Sequence, residues 1–131
     1  MSGFNENGYH IANLIKLVGH LEENKDSINL YMEYFVESGV EPDEVNCGTS
    51  ACIVGHAGEW FDMTEYDLEL GGYISFSERL FMNNSGSIPW DFLFDARWPN
   101  DIEEAIGRLS YVIKHGDMPK SWNWNFGDSF K

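Results

Sequence analysis

With 131 residues the chain has room for one hydrophobic core and not comfortably for two. A content of 43% hydrophobic and 15% aromatic residues excludes a disordered chain despite a formal net charge of -14. No apolar run approaches the ~20 residues of a membrane span, and "MSGFNENGYH" lacks the basic start and apolar middle of a secretory signal, so a cytoplasmic location is the expectation.

Ile11, Leu14, Ile15, Leu17, Val18 and Leu21 recur at helical spacing and predict an amphipathic helix over about 9–23. "SINLYMEYFVES", 27–38, fits neither period cleanly and is read as a short helix ended by Gly39 and Pro42. After the polar loop "GVEPDEVN", a helix is expected over about 48–62. On it Trp60, Ile53, Ala57, Phe61 and Val54 form a core stripe, and Gly55, Glu59, Cys52, His56 and Thr49 the opposite side.

In "TEYDLELGGYISFS", Tyr66, Leu68 and Leu70 alternate with acids, and Gly71-Gly72 could close a small β-hairpin near 65–77. Against its second strand stands Ser75-x-x-Glu78, a capping box favouring a helix over about 76–83. Ser87 and Pro89 open a short helix through Phe94. Asn100-x-x-Glu103 starts the last one, with Ile102, Ile106, Leu109, Val112 and Ile113 on its core face and Gly116 and Pro119 as its stop. The expected fold is mainly α: a compact single-domain bundle, 1–131, of five or so short helices. An aromatic tail, 120–131, carries Trp122, Trp124 and Phe126.

Candidate chemistry centres on "NCGTSACIVGHAGEW", 46–60. Cys47 and Cys52 sit five positions apart, beyond the roughly 7 Å reach of a disulfide on a helix, and are expected as free thiols. A thiol hydrolase would take Cys47 as nucleophile, favoured by a helix N-terminus, with His115 as base and Asp117 as orienter. His115 at a helix C-terminus has the simpler role of an end cap. A metal site would use Cys47, Cys52 and His56, completed by His115, His20 or Glu59, but Cys-x4-Cys-x3-His supplies three ligands at a spacing of no common zinc site. The simpler alternative makes both cysteines small hydrophobes in a packed helix. Nothing in the chain calls for a cofactor, and phosphate-loop and EF-hand spacings are absent.

Charge is distributed unevenly. Between Lys25 and Arg79 there is no Lys or Arg, while Asp26, Glu33, Glu37, Glu41, Asp43, Glu44, Glu59, Asp62, Glu65, Asp67, Glu69 and Glu78 fall in that interval. Such a field repels nucleic acid and attracts a basic protein surface, or serves solubility alone. Glu37, Glu41, Asp43, Glu44, Asp62, Glu65, Asp67 and Glu69 are the candidate partner-binding residues.

A pattern is carried by Tyr31-Met32-x-Tyr34, Cys47-Gly48-Thr49, Cys52, Gly55-His56-Ala57, Trp90, Leu93-Phe94, Trp98, Ala105, Arg108 and Leu109. From Cys47 to Gly116 it resembles a set of small uncharacterised proteins of bacteriophages and bacteria, with CGTxxCxxGHA and WDFLFxxRW motifs; the segment around Tyr31 departs from their form. The resemblance implies a compact helical domain of phage or mobile-element character and no reaction. Together these readings lead to the expectation of a non-enzymatic phage-type accessory protein that binds a basic host protein, inhibiting or redirecting it. An antidefence DNA mimic is its specific form, acting in the host cytoplasm with no membrane and no direct nucleic-acid partner. The oligomeric state, monomer or homodimer, stays open.

Overall fold

A computed structural model describes residues 4–32, 50–61, 73–83, 88–94, 98 and 100–120. The chain is mainly helical: α1 (Ile11–Asn24), β1 (Asn29–Leu30), β2 (Ser50–Ala51), α2 (Ile53–Trp60), α3 (Tyr73–Leu80), α4 (Ile88–Phe94) and α5 (Ile102–His115). No helix among the described residues is long and apolar enough to cross a membrane.

Helices α1 and α5 form the most extensive pair and frame the core. On α1, Leu14, Leu17 and Leu21 face inward at i, i+3 and i+7, each burial contributing about 1.5–3 kcal/mol. Its N-cap is His10, whose Nδ1 accepts the Asn13 N–H at 3.2 Å, an unusual capping group that the expected start near residue 9 did not anticipate. On α5, Ala105, Ile106, Leu109 and Val112 are buried. Its N-cap is Asp101, not the expected Asn100: Asp101 Oδ1 accepts from Glu103 N and Glu104 N at 3.0 and 3.2 Å, and the two acids suit the positive end of the helix. Asn100 instead accepts the Met32 N–H at 2.6 Å and ties the chain after β1 to the start of α5. Gly116, at φ 74°, ends α5 in the left-handed conformation that glycine adopts without strain, as expected.

The N-terminal segment closes the other end of α5. Asn5 Nδ2 and Asn7 Nδ2 donate to Gly116 O at 2.9 and 3.0 Å, satisfying a carbonyl just beyond the helix. The same segment runs antiparallel beside the turn after α3, with Gly8 O accepting from Asn83 N and Phe81 O from His10 N. A side chain at Gly8 would collide with Asn83 Oδ1, and its φ of 87° also favours glycine. Buried Tyr9 donates its hydroxyl to Pro89 O at 3.3 Å, linking this segment to α4. Burial, and secondarily Asp117, hold its phenol above the ordinary tyrosine range. Around Phe81 the rings of Phe61, Phe76 and Phe94 gather at 5.3–6.4 Å, the aromatic centre of the core.

Three sequence expectations shift. Asn29 and Leu30, placed in a helix over 27–38, are a strand paired in parallel with Ser50 and Ala51; positions 33–38 lie outside the described residues. The helix expected over 48–62 begins only at Ile53, because 50–51 are used in that pairing. The 73–77 half of the candidate hairpin is helical, so Ser75 lies inside α3 rather than capping it; 65–72 lie outside the described residues.

Candidate functional site

Strand β2 delivers the chain into α2 at Cys52, the N-cap, whose Sγ accepts the Gly55 N–H at 3.5 Å. Two effects compete at this thiol. Backbone N–H groups at the helix start favour the thiolate, whereas burial favours the neutral thiol. Burial wins: Cys52 is 1% exposed and its thiol is pushed up to about 11, against the pull of the N–H groups of Gly55, Val54 and Cys52 itself. At neutral pH it is a protonated, buried group.

One turn on, His56 is fully buried, with Nε2 2.8 Å from Asn29 O. A carbonyl only accepts, so Nε2 carries the proton and donates; while that bond stands, Nε2 cannot ligate a metal. Trp60 continues the line, its ring stacked at 5.1 Å and 9° on His20 of α1 and 6.4 Å from His56. His20 is therefore placed against indole, with Phe61 at 6.2 Å on its other contact.

The expected division of α2 into core stripe and opposite face is not what the structure has. Cys52, Gly55 and His56, assigned to the opposite face, are buried along with Ile53, Val54 and Ala57. Six consecutive buried residues leave this half of the helix without an exposed side, so helical period could not distinguish its faces.

Of the thiol set, Cys47 lies outside the described residues. His115 is exposed in the last turn of α5 with its ring 4.3 Å from that of Tyr111, while Asp117 Oδ1 accepts the Met118 N–H at 2.8 Å. No hydrogen bond joins His115 to Asp117 among the described residues. Among those residues, too, no three His, Cys, Asp or Glu side chains gather closely enough to hold a metal ion.

The candidate partner-binding set, Glu37, Glu41, Asp43, Glu44, Asp62, Glu65, Asp67 and Glu69, lies outside the described residues. The cations bounding the acidic interval are described. Lys25 Nζ lies 3.2 Å from Glu103 and 3.7 Å from Glu22, and Glu103 foremost raises its pKa. Arg79 is exposed, its guanidinium 5.8 Å from the Phe76 ring centre.

A residue that sequence reasoning treated only as a position in a pattern proves unusual. Arg108 is fully buried on the core face of α5, its guanidinium carbon 4.2 Å from the Trp98 ring centre. None of its three side-chain nitrogens has a hydrogen-bond acceptor among the described residues. Burial pushes its pKa down to about 10, opposed by the charges of Glu104 and Asp101, so the group remains cationic at neutral pH. Leaving a buried charge uncompensated costs on the order of 3–5 kcal/mol. The signal was available in the stripe itself: Ala105, Arg108, Leu109 and Val112 share helical spacing, which places an arginine on the apolar face.

The described residues of the sequence pattern running from Cys52 to Leu109 are largely core: Cys52, Gly55, His56, Ala57, Trp90, Leu93, Phe94, Trp98, Ala105, Arg108 and Leu109 are all buried. No family model, curated protein or solved structure matches the chain.

Proposed function

We propose that the protein is a small acidic accessory protein of phage type that binds a basic host protein in the cytoplasm and inhibits or redirects it. The observation that carries this reading is the interval from Asp26 to Glu78, twelve carboxylates without a single Lys or Arg. Lys25, at its edge, is engaged by Glu22 and Glu103 of the same chain and so offers the interval little counter-charge. A surface of one sign draws an oppositely charged partner and fixes its orientation. The specific form is a DNA mimic, with carboxylates occupying a groove that otherwise takes phosphates. A thiol or metal centre has less support, since Cys52 keeps its proton and His56 donates to a backbone carbonyl.

Capture of partners from host lysate, repeated over ionic strength, tests the reading. The partner is expected to be retained when the Debye length is about 30 Å and released when it falls to about 3 Å. The triple variant Glu41→Lys, Asp43→Lys, Glu44→Lys should weaken binding by about tenfold or more, some 1.4 kcal/mol. Retention indifferent to both salt and charge reversal contradicts electrostatic docking. Failure of duplex DNA to compete with this protein for the captured partner removes the mimic form alone.

A further inference from the structure

Arg108 brings to the core a set of donors that no acceptor among the described residues takes up. The contact with Trp98 engages the guanidinium through the ring's π cloud, whereas its N–H groups lie in the guanidinium plane and are not consumed by stacking. Glu104 and Asp101 act on it through space, yet neither accepts a hydrogen bond from Nε or either Nη. Buried polar groups without partners are uncommon in folded proteins and point to a bound species or a functional demand. A lysine could relieve the cost by shedding its proton, but a guanidinium holds its charge.

We infer that Arg108, backed by the Trp98 ring, is a receptor for a small monocarboxylate, which the in-plane N–H fork would grip through both oxygens. Chemistry sets the class: a planar carboxylate matches the fork. Charge refines it, because a protein of net charge -14 disfavours a doubly charged phosphate more than a singly charged acid. Because Arg108 is sealed from solvent, capture is coupled to local opening, and binding is read at equilibrium.

The test is the melting temperature of the full chain in sodium acetate, with sodium chloride at equal ionic strength as control and inorganic phosphate as a third arm. Acetate should raise it saturably, by roughly 5–10 °C at about a hundredfold excess over the dissociation constant. Phosphate should raise it less. Arg108→Met should abolish the acetate response while melting in chloride no lower than wild type, since an apolar side chain replaces an uncompensated cation. If that variant does not fold, Arg108→Lys serves, keeping the charge without the fork and losing about tenfold or more in apparent affinity for acetate. An acetate response no larger than that to chloride overturns the assignment. So does an equal response in either variant, or a stronger one to phosphate.

Discussion

Helices α5 and α2 solve opposite problems with similar residues. Along α5, Ala105, Ile106, Leu109 and Val112 turn inward at helical spacing, while Ser110, Lys114 and His115 remain in solvent. Along α2, Cys52 through Ala57 are buried consecutively. A half-exposed helix can leave its polar side chains to water; an enclosed one must find each a partner inside the protein. On α2 the backbone provides them, Asn29 O for His56 and Gly55 N for Cys52. The cysteine, the histidine and their spacing, which look like chemistry in the sequence, are thereby accommodated as packing.

The comparison is most easily broken at the polar positions. His56→Ala on α2 should cost about 2–4 kcal/mol, from the cavity and from leaving Asn29 O without its donor, while Ser110→Ala on α5 should stay within about 0.5 kcal/mol. Equal effects in denaturant unfolding would mean that α2 is not enclosed.

A smaller effect sharpens the same contrast through pH. The Cys52 thiol ionises near 9.0 in an unfolded chain and near 11 in the fold. Below pH 9.0 both states hold the proton. Above it the unfolded state releases first, so the folded state binds more protons and stability falls as pH rises. By pH 11 the wild type should have lost about 2–3 kcal/mol more than Cys52→Ala, in which this term is missing. Tyr9, also raised, acts in the same direction but equally in both proteins, so the difference isolates the thiol.

How much was legible in the sequence follows from the same contrast. The α1 and α5 helices were readable to within about two residues, because each keeps a wet and a dry side and α5 carries its own stop at Gly116. α2 starts later than its spacing predicts because a two-residue parallel pairing with a strand 21 positions earlier leaves no local pattern. Its faces differ from the expected ones because burial of Cys52 through Ala57 erases the period. The His10 cap and the asparagine clamp on Gly116 depend on tertiary approach and could not be read from spacing. Arg108 is visible on an apolar stripe, yet spacing could not say that no carboxylate among the described residues would reach it.

The proposed role of the acidic interval requires the cysteine and histidine helix to be structural. Alkylation of Cys52 in a Cys47→Ser background at neutral pH tests this most directly. The account predicts labelling at least about 100-fold slower than that of a free thiol, from the shifted ionisation alone, and complete only as the protein unfolds. Labelling of the folded protein as fast as a free cysteine, or faster, would contradict it and return the helix to the chemistry its sequence suggests.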